Sequence, residues 1–349
     1  MRTFLGRLLL FLLPLAAGEA ALRLHPGTPT WYAAEAEEVR SLPAATAEVV
    51  FVGSSRVAAA VDAPGFAERC GEALGRPMHG VNAGRGSSTA AMHALGLRAM
   101  WSAGDLRGAV VLIEAAGGVA GITPGWSDAW GETWAGSGYA AMIVPYLRLR
   151  DLPELLGSAA PREEKLMLAL LSTCHLCEYF WVRRGNALKR AELGVDRLLA
   201  PSTTEPSELS AAGGVRNDAA GIEALRRTAE QLARDDMRRQ TPVGDWEGTA
   251  VAHLVRWVED HGGQARFFVM PLSPVQQPML ETTVRQRDRD AFVLAAKRWG
   301  SPVVDVPFET TGDDFPDNWH MRHSRAAAYT AALVSALCTK ERWPGGSGR

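Results

Sequence analysis

The sequence lacks a charge excess of either sign. Its 349 residues carry 37 basic and 39 acidic side chains, which leaves a formal net charge of −2. A nucleic-acid-binding protein carries a basic excess on some face, so this balance argues against nucleic acid as a partner. Hydrophobic residues make up 47% of the chain, which excludes a disordered protein and is enough for one large domain or two modest ones.

Long hydrophobic runs are scarce, which excludes a membrane protein with several spans. The exception is the N-terminus, where Arg2 and Arg7 precede an apolar run over residues 8–18 that ends in small residues. This order is typical of a secretory signal. Residues 1–25 are therefore predicted to be a signal peptide or a retained N-terminal membrane anchor, with the anchor slightly favoured. In both cases the bulk of the chain is expected in the periplasm or another extracytoplasmic space. A buried N-terminal helix of a cytosolic protein is the alternative.

Cysteine is sparse, at four residues. Cys174 and Cys177 form a lone C-x-x-C in a segment with a helical pattern, whereas Cys70 and Cys338 each stand alone. A zinc site needs a second pair, and a thioredoxin-type motif should follow a strand. We therefore expect structural thiols or a local disulfide, no metal site and no cofactor.

Short β-rich runs alternate with helical patterns along most of the chain. Such alternation predicts an α/β fold, an open three-layer α/β/α sandwich with a mostly parallel five-stranded sheet. The five strands are expected at residues 47–52, 80–83, 109–113, 265–270 and 302–306, and the clearest helices at 88–101, 249–261, 283–299 and 324–337.

One stretch, about residues 120–244, is too long for a single crossover between strands. It contains a Trp/Gly-rich segment, a helical pattern around residues 162–189 and a Pro/Ser/Thr linker at residues 201–206. We interpret it as an insertion into a domain that spans residues 46–338, followed by a flexible tail at 339–349. The insertion is expected at the carboxyl edge of the sheet, where it either shapes substrate access or acts as a structural cap.

Two short polar segments are predicted to meet at that carboxyl edge. The first strand ends in Gly53-Ser54-Ser55-Arg56, and Asp317-Asn318-Trp319-His320 lies between the fifth strand and the last helix. Loops that follow parallel strands open on the same edge, so a serine, a histidine that removes its proton and an aspartate that orients the histidine would converge. Each segment alone is a weak signal, since Gly-Ser-Ser also serves as an ordinary helix cap.

These segments resemble blocks of the SGNH/GDSL hydrolase family, in the variant whose first block reads Gly-Ser-Ser. The resemblance covers about residues 46–118 and 262–338, and it implies a flavodoxin-like sheet. It makes Ser55 the nucleophile, whose own N–H contributes to the oxyanion hole, and matches Asp317 and His320 to the final block. The second block, residues 81–89, would supply a further N–H from Gly84 or Gly86.

The third block departs from the family pattern. Where the family has an Asn that donates to the oxyanion, this chain has Glu114 followed by small residues. Losing such a donor without replacement costs about 2.7–4 kcal/mol of transition-state stabilisation. A carboxylate there would repel an oxyanion unless it is paired, with Arg56 or Arg85 as the candidate partners. Ser273, which follows the fourth strand, is the remaining candidate for the pocket wall.

Three interpretations of this departure stay open. In the first, a donor from the Trp-rich insertion replaces the Asn; in the second, the enzyme is slow or specialised; in the third, the site is degenerate. The favoured function is a cell-envelope serine esterase that acts on O-acyl esters of a small molecule or polysaccharide. The alternatives are an O-acyltransferase that modifies an envelope polysaccharide and a non-catalytic envelope binding protein. His320 is favoured over His323 as the base, and surface or core roles are expected for His79 and His93.

Overall fold

The computed structural model describes residues 47–85, 108–116, 119–120, 162–174, 249–274, 283–317 and 320–339, with isolated residues elsewhere. The chain divides into two compact units, one formed by residues 42–125 with 205–349 and the other by residues 1–41 with 126–204. The first unit contains the sheet and both segments of the predicted active site. Only part of the predicted insertion, residues 126–204, belongs to the second unit.

Five parallel strands in one sheet confirm the predicted α/β fold class. Their order is β2-β1-β3-β5-β6, and the short β4 pairs with β3 in the antiparallel direction. Counting only the parallel strands, the order is 2-1-3-4-5, which is that of flavodoxin-like sheets. The strands are β1 (Val49–Val52), β2 (Gly80–Asn82), β3 (Val110–Ala116), β4 (Val119–Ala120), β5 (Gln264–Met270) and β6 (Val303–Val304).

Helices cover both faces of the sheet, because the strands carry apolar residues on both sides. Phe51 of β1 packs edge-on against Phe66 of α2, with 5.0 Å between ring centroids. On the opposite face, Phe267 of β5 lies 4.9 Å from Phe292 of α5. The helices of this unit are α1 (Ser55–Ala60), α2 (Ala63–Leu74), α4 (Ala250–Asp260), α5 (Thr283–Arg298) and α6 (His323–Leu337), and α3 (Arg162–Thr173) lies in the second unit.

Helix α2 was not among the predicted helices, although its ends carry recognisable signals. The Asp62 side chain accepts a hydrogen bond from the Gly65 N–H at 3.1 Å, and proline occupies the first turn. The helix ends at Gly75, which has a φ of 71°, the left-handed conformation that favours glycine.

A disulfide joins Cys70 of α2 to Cys338, the residue that follows α6, with 5.3 Å between their Cα atoms. In the sequence these two cysteines stand alone, because 268 positions separate them. Cys174 is also disulfide-bonded, and Cys177 lies outside the described residues. The Cys70–Cys338 disulfide therefore joins distant parts of the chain, and this pairing is visible only in three dimensions.

The two predicted terminal segments are described only in part. Near the N-terminus, Leu13 and residues 15–21 are helical. Among the residues that the structure describes, no helix is both long and apolar enough to cross a bilayer. In the predicted C-terminal tail, Trp343 is only 3% exposed and packs 6.2 Å from Phe66. The hydrophobic core therefore extends into the segment that the sequence assigns to a flexible tail.

Candidate active site

The turn after β1 gives its two serines different positions. Ser54 is the N-cap of α1, and its Oγ accepts a hydrogen bond from the Arg56 N–H at 3.2 Å. Ser55 is the first residue of the helix. Helix capping, the alternative interpretation of Gly-Ser-Ser, is therefore performed by Ser54. The N–H of Ser55 belongs to the first turn, whose N–H groups have no acceptor within the helix.

The loop between β6 and α6 holds the predicted base and its partner. The His320 N–H donates to Asp317 Oδ1 at 2.7 Å, and His320 Nδ1 lies 2.6 Å from Asp317 Oδ2. The segment thus makes the tight turn that the D-x-x-H spacing requires. Asp317 is mostly buried, with 16% of its side chain exposed, whereas His320 is 36% exposed. A carboxylate in this position fixes the tautomer in which Nδ1 carries the proton.

The two segments meet at the carboxyl edge of the sheet. His320 Nε2 lies 2.7 Å from Ser55 Oγ. With Nδ1 protonated toward Asp317, Nε2 is free to accept the hydroxyl proton. Ser55, His320 and Asp317 therefore form a continuous chain of hydrogen bonds with the geometry of a nucleophile, a general base and an orienting carboxylate.

A buried ion pair lies directly beside Ser55. Glu114, at 0% exposure, accepts a hydrogen bond from the Ser54 N–H at 2.6 Å, and its other oxygen lies 3.1 Å from Arg56 Nε. Of the two partners considered from the sequence, Arg56 makes the ion pair, while Arg85 Nη1 donates to the Gly84 carbonyl at 2.9 Å. A donor from the Trp-rich segment in place of the family's Asn would lie outside the described residues.

The loop after β2 packs tightly against α1. The Gly84 N–H donates to Asn82 Oδ1 at 2.9 Å, and Asn82 Nδ2 donates to the carbonyls of Val57 and Val61 at 3.0 and 2.8 Å. A Cβ at Gly84 would lie 2.6 Å from the Ala58 nitrogen, so only glycine fits. The Gly84 N–H thus has an acceptor inside its own loop, which weighs against the oxyanion role expected of it. Gly86 lies outside the described residues.

Other histidines take the core and surface positions expected of them. His93 is buried, hydrogen-bonds to the Gly53 backbone and has its pKa lowered to about 3 by desolvation, with a smaller contribution from Arg85. It is therefore neutral near pH 7, and its hydrogen bond to Gly53 supports the turn after β1. His79 has 70% of its side chain exposed beside Glu48, and His323 is exposed at the start of α6.

Asp314, an acidic residue that was not predicted from the sequence, supports the loop that holds Asp317 and His320. Asp314 Oδ2 accepts from the Thr311 N–H at 2.9 Å, and its other oxygen lies 2.9 Å from Arg325 Nε. The Asp314 carbonyl accepts from the Arg322 N–H at 2.8 Å, which ties the start of α6 to the other end of the loop. The Thr-x-x-Asp spacing of a capping box was the available signal.

A cavity of about 340 Å³ opens where β5 and β6 end. Met270, Pro271 and Leu272, which were predicted to line the active-site pocket, line this cavity, whereas Ser55, His320 and Asp317 do not. The remaining lining side chains are Val269, Gln277, Gln286, Arg289, Asp305, Val306 and Phe308. Ser273, the other candidate for the pocket wall, is fully buried and is not part of this lining.

Comparisons with known proteins do not identify a function for this chain. Within the described ranges there is no group of three or more His, Cys, Asp or Glu side chains that could hold a metal ion. No protein-family model matches the chain, and a search of curated proteins also finds no match. The functional interpretation therefore depends on the geometry around Ser55.

Proposed function

We propose that this chain is a serine hydrolase of the SGNH/GDSL type that cleaves O-acyl esters. The observation that carries the proposal is the hydrogen-bonded series Ser55 Oγ, His320 Nε2, His320 Nδ1 and Asp317 Oδ2, with contacts of 2.7 and 2.6 Å. Such contacts are within the reach that general-base catalysis needs. The series also lies at the carboxyl edge of a flavodoxin-like sheet, beside the switch point between β1 and β3 where such sheets bind ligands.

The residues support acyl transfer in two steps. Ser55 Oγ attacks the ester carbonyl while His320 Nε2 takes the hydroxyl proton. The tetrahedral intermediate collapses, His320 gives that proton to the leaving alcohol, and an acyl-Ser55 ester remains. Water then attacks the acyl group, with His320 again accepting and returning a proton, and the carboxylic acid is released.

Each neighbouring group has a defined part in these steps. Asp317 keeps the imidazole oriented and stabilises the imidazolium that forms in each half-reaction. The Ser55 N–H is the oxyanion donor that the resemblance implies. Its place in the first turn of α1, where no intrahelical acceptor competes for it, supports that role.

The proposed location is outside the cytoplasm, with substrates that are esters of envelope polysaccharides or small molecules. The Cys70–Cys338 disulfide supports this location, because such bonds persist in oxidising compartments. The signal or anchor pattern of residues 1–25 agrees with it.

A fluorophosphonate probe tests the proposal directly, because it reacts much faster with an activated serine than with an ordinary hydroxyl. The full chain should be labelled at Ser55, as located by peptide mass spectrometry, and Ser55→Ala should not be labelled. Ser335→Ala, which removes an exposed hydroxyl on α6, is the matched control and should label normally. Absence of labelling in the intact protein would favour the binding-protein alternative.

A product assay then separates hydrolase from transferase. Short acyl esters and acetylated polysaccharides are incubated with unlabelled wild-type protein. Free acid is measured with and without a sugar acceptor. Release of acid without acceptor supports the hydrolase. Acid or transfer product that forms only when the acceptor is present supports an acyltransferase, since the two differ in how well the pocket excludes water.

A further inference from the structure

We propose that Glu114 is a positioning residue of this site, which holds the Ser54–Arg56 turn from both sides and thereby sets Ser55 Oγ against His320. This inference rests on the proposed function. It assigns a purpose to the carboxylate that stands where the resembling family has an Asn.

The contacts of Glu114 flank the nucleophile. One carboxylate oxygen accepts from the N–H of Ser54 at 2.6 Å, and the other lies 3.1 Å from Nε of Arg56. These residues directly precede and follow Ser55. One fully buried side chain thus forms a hydrogen bond with the backbone before the nucleophile and an ion pair with the side chain after it. A hydroxyl between two such contacts has little freedom to move away from the base.

The sheet register places Glu114 at this point. The last paired residues of β1 and β3 are Val52 and Ile113, so Glu114 is the next residue along β3, beside Gly53. Gly53 leaves room for it, because a Cβ there would lie 2.6 Å from Glu114 Oε2. The turn therefore lies directly on the carboxylate, and the glycine before the two serines is needed for that close approach.

Charge balance explains why Arg56 accompanies Glu114. A lone carboxylate buried this deeply would be costly, and its negative charge would oppose an oxyanion forming at Ser55. The guanidinium of Arg56, with 14% of its side chain exposed, compensates that charge. Removing Arg56 alone leaves the carboxylate unpaired, whereas removing both charges does not. The loss of Arg56 should therefore harm the site more than the loss of Glu114, and the double change should recover part of the damage.

The test measures fluorophosphonate inactivation of the full chain over a range of probe concentrations. This separates the maximal rate constant, kinact, from the half-saturating concentration, KI. Glu114→Gln keeps an oxygen that can accept from the Ser54 N–H, but it removes the negative charge and turns an NH₂ donor toward Arg56. It should lower kinact by about tenfold or more, as expected when a hydrogen bond loses its charged acceptor and an ion pair is lost, with KI within about twofold of wild type. Arg56→Met should lower kinact further, and Arg56→Met with Glu114→Gln should exceed Arg56→Met alone.

A control variant and two contrary results complete the test of Glu114. Glu259→Gln makes the same chemical change in a carboxylate bonded to Ser301 at the opposite edge of the sheet, and it should leave both constants unchanged. A folded Glu114→Gln protein with wild-type kinact, or one in which only KI moves, overturns the proposal. Loss of the native unfolding transition in both Glu114→Gln and the double variant also overturns it, because Glu114 then acts on folding alone.

The wild-type result keeps this inference separate from the proposed function. Labelling of wild type at Ser55 supports the hydrolase whatever Glu114→Gln does. Failure of wild type to label contradicts the hydrolase and the positioning role together.

Discussion

His320 Nε2 and Ser55 Oγ lie 2.7 Å apart although 265 positions separate these residues in the chain. The parallel sheet brings them together, because the turn after β1 and the loop after β6 both open at the carboxyl edge. Helix α6, which begins at His323, packs against α1 and α2, and the Cys70–Cys338 disulfide fastens its far end. The contact between His320 and Ser55 thus depends on how α6 packs against the helices that flank β1.

Asp317→Asn should abolish most activity without unfolding the protein. The amide keeps the shape of the carboxylate but offers its NH₂ group toward Nδ1, which favours the wrong imidazole tautomer. A loss of kcat on the order of 10⁴-fold is expected. Hydrolysis of a chromogenic short-chain ester measures it. Asp313→Asn, an exposed neighbour in the same loop, serves as the control and should retain activity. Equal activity in the two variants would remove Asp317 from the proposed site.

The Asp314–Arg325 ion pair should stabilise the loop that carries Asp317 and His320. Asp314→Ala leaves the Thr311 N–H and the Arg325 guanidinium without this acceptor. The free energy of unfolding should fall by about 1–3 kcal/mol, and kcat should fall as well. Urea denaturation and ester hydrolysis measure the two effects.

A second ion pair provides the comparison for Asp314. Glu223 and Arg227 form an exposed i,i+4 pair, with side-chain exposures of 49% and 76%. Exposed pairs contribute only about 0.3–0.5 kcal/mol, so Glu223→Ala should be nearly neutral. If Asp314→Ala were equally neutral in both stability and kcat, the loop would not depend on the pair.

His93 should make the protein sensitive to acid. Its pKa is lowered to about 3 in the folded protein by desolvation, against 6.5 for an ordinary histidine. Between these pH values His93 is protonated in the unfolded chain but not in the folded chain. The free energy of unfolding therefore decreases as pH falls from about 6.5 toward 3. The slope from this group approaches 1.4 kcal/mol per pH unit.

The variant His93→Gln removes the titrating group and keeps a donor for the Gly53 backbone. Urea denaturation at several pH values between 7 and 4 should show a shallower loss of stability in this variant than in wild type. His79→Gln changes an exposed histidine and should follow the wild-type curve. Identical slopes in wild type and His93→Gln would show that His93 is not buried in its neutral form.

The Cys70–Cys338 disulfide should contribute strongly to stability, because it closes a loop of 268 positions. Replacing both cysteines with serine should lower the free energy of unfolding by about 2–5 kcal/mol. Guanidinium denaturation without reductant measures this change. Thiol titration of unfolded, unreduced protein provides the check, and two free thiols at these positions would contradict the pairing.

Much of the fold could be predicted from sequence because its signals are local. The apolar runs of β1, β3 and β5 and the capped pattern of α4 depend only on neighbouring residues, and each was placed within a few positions. Helix α2 was not predicted, although the Asp62 cap and Gly75 mark its two ends. The antiparallel β4 was missed because two residues carry no periodicity.

Sequence signals likewise predict some parts of the candidate site and not others. Ser55, Asp317 and His320 could be proposed because strand ends mark the active edge and short spacings bring donors and acceptors together. The choice of Arg56 over Arg85 as the partner of Glu114 could not be made from sequence, because both follow strands at that edge. The hydrogen bond from the Gly84 N–H to Asn82 was equally out of reach, since it depends on the loop conformation.

The sequence by itself determined the parallel sheet, its carboxyl edge and the residue types that gather there, because hydrophobic periodicity and turn chemistry act over short distances. Only the tertiary structure decided which distant groups touch: His320 against Ser55, Arg56 against Glu114, and Cys70 against Cys338. Contacts of this kind follow from how helices pack on the sheet, and packing depends on the shape of the whole core rather than on any one segment.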